Sequence, residues 1–412
     1  MKMTSKDWGW VAVNIGMGIG AGIVFLPIQA GLVGLWTFLL AILLAYPALY
    51  LFQHMYINTL IESRDASDYT TTIREYLGSK AAAILGIIYF VMLMIWLCVY
   101  SETVTNDSAS YIQAAGLTEG LLSTNHLYAL ALIGFLVFLA FASKTLLFNL
   151  SKVLVVVILS SLVVLAVLII PQWDVDNIKD ITSIGKMVCQ TIITLPFAMT
   201  SILFLQSLSP MVVYVRSEYE DVALARQKAM QIMTRAFLIL AGVVFFFAFS
   251  CTMSITHQDA YNAFVANTSF LAILVKVIPG TLVPALGVTI DICAVTTSFF
   301  GVLLGLHEAC VGLYMNLFLG DRPKESVNMG KLSAGVIGLI MLLGWTATIV
   351  DFPILYFTSI CSPIFAIIGC FIPVLLVYKV DALAKYRGVQ TWIITVTGVL
   401  LVLSPFFALL DK

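Results

Sequence analysis

Gly16, Gly18, Gly20 and Gly22 stand at every second position of an apolar stretch running from about Trp8 to Gly34, and Pro27 follows them. Glycine costs about 1 kcal/mol against alanine inside a helix, and proline donates no backbone hydrogen bond. Unpaired backbone in hydrocarbon is costly, so a helix broken there is tolerated where it lines a cavity or meets a ligand. A packing face is the plainer alternative, since Gly16-Gly20 and Gly18-Gly22 both fit the Gly-xxx-Gly spacing. Alternating glycines, however, visit several helix faces rather than one. A second stretch, Thr194 to Pro210, is bracketed by Pro196 and Pro210 and holds Thr200, Ser201, Gln206, Ser207 and Ser209. A broken helix presents N–H groups at one half-helix start and carbonyls at the other half-helix end. The first suits a carboxylate and the second an ammonium or metal cation. Neither break carries a charged side chain, so a zwitterion fits both better than a strongly cationic or dianionic ligand. Gly18, Ile19, Gly20, Ala21 and Gly22 are therefore expected to face Ser201, Phe204, Gln206 and Ser207.

A third stretch supplies the ionisable groups. At about 100° per residue, Asp291, Ala294, Thr297, Ser298, Gly301, Gly305 and Glu308 share one stripe of a helix, with Phe299, Leu303 and Leu306 opposite. Such a stripe means close helix packing or a face on a wet cavity. Glu308, an acid within an apolar span, is the first candidate to carry a coupled proton, and Asp291 is the second. Thr297 and Ser298 hydroxyls beside span-1 carbonyls also form an oxygen set suited to Na⁺. His307 falls off the stripe.

The elements that position these residues are membrane spans. The 412 residues are 61% hydrophobic and only 10% charged, with net charge −1. Mean hydropathy is +1.04, against about 45–50% apolar and 25% charged residues in soluble domains. Taking about 20 apolar residues per crossing, eleven spans are read at about 8–34, 35–58, 82–112, 126–143, 149–170, 185–209, 232–255, 282–318, 330–350, 353–378 and 389–409. Lys and Arg crowd the connections on the side of the N-terminus, with Arg216, Arg226, Lys228 and Arg235 in one of them. This bias puts the N-terminus in the cytoplasm and the C-terminus outside. Asp68 to Leu77 is expected to form a surface helix ended by Gly78, and Ala266 to Ile278 a re-entrant or interfacial cap. The fold class is all-α and polytopic, one transporter domain over 1–412. Spans 1 and 6 are its interrupted helices, five spans apart, so residues 1–170 and 185–378 form halves of opposite orientation and 389–409 adds a last helix. Interrupted segments in corresponding positions of inverted halves point to a transporter site.

Several classes are disfavoured. Near-neutral charge gives no reason to expect nucleic acid. The seven cysteines lack C-x-x-C spacing and read as small buried hydrophobes. No nucleotide loop, metal-ligating motif or Ser/His pairing is present, so no cofactor and no enzyme activity is expected. A channel would show charge rings or filter loops.

Ile-Gly-Ala-Gly-Ile-Val-Phe-Leu-Pro (19–27), Ile-Pro-Gln-Trp (170–173), Leu-Ser-Pro (208–210), Thr-Ser-Phe-Phe-Gly-Val-Leu-Leu-Gly (297–305) and Ser-Ile-Cys-Ser-Pro-Ile-Phe (359–365) resemble the hydroxy and aromatic amino acid permease family of the amino acid–polyamine–cation superfamily. The likeness runs over essentially the whole chain and is greatest to its serine/threonine branch. It implies a LeuT-like fold with inverted five-helix repeats, substrate held between the breaks of spans 1 and 6, and proton-coupled uptake of serine across a bacterial inner membrane among its lipids. An aromatic amino acid permease and a Na⁺-coupled symporter are the alternatives. One departure bears on coupling. Some serine permeases carry a lysine directly before the Ser-Phe of span 8, where this chain has Thr297, and Lys152 lies at the start of span 5 rather than within it.

Overall fold

The computed structural model describes residues 2–20, 22–64, 69–178, 183–265, 281–319, 327–350 and 361–410. It is all-helical, with no strand among those residues. Among the described residues, nine helices are long and apolar enough to cross a membrane, and His126–Ala142 is a shorter apolar one. Outward-facing Leu43, Phe138, Val156 and Trp392 are more than 60% exposed, as hydrocarbon contact allows. Ala21 and the expected cap at 266–278 lie outside the described residues.

The first apolar stretch is two helices, α1 (Ser5–Ile19) and α2 (Gly22–Val33). Neither reaches the length of a span alone. Gly34, at φ +81°, turns the chain into α3 (Leu35–Ile61). The surface helix appears as α4 (Tyr69–Leu77), and Gly78 at φ +87° ends it, a conformation open to glycine and strained for other residues. The first half continues through α5 (Ser79–Ala114), α6 (His126–Ala142) and α7 (Lys144–Leu168).

The second interruption is equally plain: α8 (Ile184–Thr200) and α9 (Leu205–Glu218) are separated by Ser201–Phe204. There follow α10 (Val222–Ser254), the short α11 (His257–Val265), α12 (Leu282–Tyr314), α13 (Met329–Val350), α14 (Cys361–Lys379) and α15 (Val389–Leu410). The core forms where α1 packs against α7, α10 and α12, and where α12 runs along α5 and α9. Thus both broken helices lie against α12.

Polar ties hold the loop-side ends. The Lys228 ammonium of α10, 1% exposed, lies 2.7 Å from Asp7 Oδ2 and donates to the Lys2 carbonyl at 2.7 Å. Asp7 also closes a capping box with Thr4. Beyond α3, burial alone would raise the Glu62 carboxyl. Hydrogen bonds from Lys385 Nζ at 2.7 Å and the Tyr386 hydroxyl at 2.8 Å outweigh it and hold the group below the ordinary range.

Candidate functional site

The two breaks meet at one level of the bundle. A Cβ built on Gly18 would lie 3.5 Å from the Ile202 carbonyl carbon and would also strike the Leu240 side chain. On Gly20 it would strike the Tyr100 hydroxyl and lie 2.7 Å from Ser298 Oγ. Here close approach requires glycine. Ile19, Ser201, Phe204 and Ser207 are fully buried, and Gln206 is 2% exposed.

Hydroxyls around the span-6 break are largely satisfied by backbone. Thr200 Oγ1 donates to the Pro196 carbonyl at 2.8 Å and Ser201 Oγ to Ala198 at 2.7 Å. Ser207 Oγ donates to Asn14 Oδ1 at 2.8 Å, while Asn14 Nδ2 reaches the Met211 sulfur at 3.4 Å. Ser207 therefore ties the two broken helices together rather than pointing at a free space. At the start of α9 no side chain caps the helix, so partly positive N–H groups remain there.

The span-8 stripe presses on both breaks and is packed. Thr297 Oγ1 donates to Gly16 O at 3.1 Å and Cys293 O at 2.8 Å. Ser298 Oγ donates to Gly16 O at 3.0 Å. A Cβ on Gly305 would sit 2.6 Å from the Gln206 carbonyl oxygen. Asp291 and Glu308 are at the two ends of this contact, 17 residues and so about 25 Å apart. Asp291 Oδ2 accepts from the Tyr111 hydroxyl at 2.7 Å. Glu308 Oε1 accepts from Ser209 Oγ and, at 3.2 Å, from the backbone N–H of Tyr69 at the start of α4. His307 turns away to Ser333, 2.8 Å distant. Glu102 is buried at 5% exposure, although its place near the outer end of span 3 reads as water-facing.

Between the breaks lies a cavity of about 10 Å³, room for a single water-sized group, bounded by Met17, Trp96, Tyr100, Thr200, Gln206 and Phe365. That is far below the roughly 300–1,000 Å³ of sites that take drug-sized ligands, so the two breaks are packed closely together in this conformation. Gln206 Oε1 and Trp96 Nε1 are buried there without a hydrogen-bond partner among the described residues. Trp96, Tyr100, Phe365 and Asn14 escape sequence reasoning. The available signal was Trp96-Tyr100 at i, i+4 in mid-span, where aromatic rings with polar tips are out of place.

No family model matches the chain. It is 47% identical over 411 residues to the "Serine transporter" of Escherichia coli O157:H7, covering 99% of this chain and 93% of that one. The "Probable serine transporter" of Escherichia coli (strain K12) matches with the same identity and coverage. Among solved structures, MhsT in complex with L-phenylalanine aligns with TM-score 0.56 and 13% identity, over 97% of this chain and 98% of that one. MHP1, a nucleobase-cation-symport-1 family transporter in a closed conformation with bromovinylhydantoin bound, aligns with TM-score 0.62 and 11% identity, over 97% and 91%. Both have the LeuT fold, and so does this chain. The molecule is a multi-pass membrane protein and a secondary amino acid transporter, not an enzyme. On the full-length identity, the chain belongs to the hydroxy and aromatic amino acid permease family of the amino acid–polyamine–cation superfamily.

Proposed function

We propose that the chain takes up serine across a bacterial inner membrane in symport with protons, with its N-terminus in the cytoplasm and its C-terminus in the periplasm. The carrying observation is the junction of the two breaks, which Gln206 borders and where its buried amide oxygen has no hydrogen-bond partner among the described residues. The N–H end of α2, from Gly22, takes the substrate carboxylate, and the carbonyl ends of α1 and α8 take its ammonium. Residues 1–170 and 185–378 act as the inverted halves that rock about this site, with 389–409 outside them. Polar Thr200 and Gln206 at the breaks favour a hydroxyl-bearing substrate over an aromatic one. Glu308 is the leading proton carrier and Asp291 the second. Reconstituted without ATP, the protein should exchange labelled serine against internal serine, with tryptophan competing poorly. Exchange driven by aromatic amino acids but not serine would refute the substrate assignment.

Na⁺ coupling is a second reading, favoured by one observation. The carbonyls of Gly16 and Met17 converge with the Thr297 and Ser298 hydroxyls, an oxygen cluster that a hard cation could share. Accumulation that disappears in Na⁺-free buffer and ignores an imposed pH gradient would select it.

A further inference from the structure

Trp96 stands midway along α5 (Ser79–Ala114), deep in the bundle and 6% exposed. Tryptophans of membrane proteins concentrate at the water interface, where the indole N–H finds a partner. Here Nε1 is buried with no acceptor among the described residues. Leaving a buried donor unpaired is costly, and such a group asks for an explanation. The ring is not free to swing away in search of one. It stacks on Tyr100 with centroids 5.6 Å apart and planes at 26°, and it meets Phe365 at 6.4 Å.

All three rings border the space between the breaks, as does Gln206. One wall thus holds a fixed donor that cannot accept, and another holds an amide oxygen without a donor. A single hydroxyl bound between them could satisfy both, its oxygen accepting from the indole and its hydrogen going to the amide. A methyl group of the same size satisfies neither and leaves both buried.

We propose that Trp96 determines substrate specificity by donating its indole N–H to the side-chain hydroxyl of the substrate, whose hydrogen Gln206 accepts. This rests on the assignment of a small hydroxy amino acid as substrate and names the pair that selects it. Tyr100 and Phe365 hold the indole plane in place. Discrimination then arises less from attraction to the hydroxyl than from the unpaired donor and acceptor that its absence leaves behind.

Competition against labelled-serine exchange in proteoliposomes tests this, with 2-aminobutyrate, which carries CH₃ in place of the serine OH. The parent protein should prefer serine by about 100-fold or more, within what a site built for a hydroxyl achieves. Trp96→Phe keeps a ring and removes the donor. It should lower the preference to about tenfold or less, with 2-aminobutyrate competing within about twofold of its parent value. Trp96→Leu serves the same purpose if the Phe variant fails to reconstitute. A variant that exchanges amino acids and keeps the parent's preference overturns the role of Trp96. So does a parent that takes serine and 2-aminobutyrate equally well, a result that needs no variant. A parent that exchanges no serine at all refutes instead the substrate assignment beneath the proposal.

Discussion

A single methyl group's worth of space at Gly16 sets how closely α1 approaches α12. A Cβ there would fall 2.6 Å from Thr297 Cβ, inside any real contact, and the Gly16 carbonyl would lose its bonds from Thr297 and Ser298 as the helices part. Overpacking of this kind costs about 1–3 kcal/mol. Gly16→Val is therefore expected to lower the melting temperature by several degrees in detergent and to abolish exchange. Gly242, whose built Cβ meets nothing within 4 Å, supplies the control, and Gly242→Ala should change neither quantity. Equal behaviour of the two variants would remove the α1–α12 approach from the mechanism. The alternating glycines are conspicuous in the sequence, but their separate tasks are not. Gly16 meets Thr297, Gly18 meets Leu240 and Ile202, and Gly20 meets Tyr100 and Ser298. Those partners lie on three other helices and in the Ser201–Phe204 break, which local spacing cannot rank.

At the scale of elements, the Lys228–Asp7 pair fastens the start of α1 to α10. Both side chains are nearly inaccessible, at 1% and 5%. Removing one member of a buried pair costs about 3–5 kcal/mol, because the other charge is left without its partner, whereas apolar replacement of both is often neutral. Asp7→Asn should thus lower thermal stability markedly, and Asp7→Leu with Lys228→Met should recover most of the loss. A double variant as unstable as the sum of its parts would show that the two do not act as a pair. From sequence, Lys228 is one more positive charge on the N-terminal side. Its partner is 221 residues away, and no periodicity connects them. The helices themselves are far more legible, because hydropathy and glycine or proline punctuation act within a window. The breaks after Ile19 and Thr200, and the turn at Gly78, follow such local signals. Trp96 and Tyr100 were hidden for the opposite reason: an aromatic pair in an apolar span looks like core until its polar tips are placed.

For the whole molecule, the question is how one carboxylate could bias the exposure of a site two helical turns or more away. Glu308 of α12 joins three elements, since it accepts from Ser209 of α9 and from the Tyr69 backbone N–H that opens α4. An anion is favoured at a helix N-terminus. The Tyr69 ring is buried against Tyr56 of α3 and Tyr89 of α5, at 5.4 and 5.1 Å. Ionised Glu308 thereby holds α4 across the face that the positive-charge bias assigns to the cytoplasm. If Glu308 carries the coupled proton as proposed, protonation would remove the charge that favours this contact and shift the balance toward release of α4 and opening on that side. On that proposal, water entering would then take up the proton and the ionised group would draw α4 back. A proton can shift such an equilibrium only by its differential affinity for the two states. Glu308→Gln fixes the neutral form. It is expected to retain serine exchange, which needs no net proton movement, and to lose accumulation driven by an imposed pH gradient. Accumulation that survives the substitution would release Glu308 from the coupling role. A requirement for Na⁺ in the parent would then place the driving ion between the Gly16 carbonyl and the hydroxyls of Thr297 and Ser298.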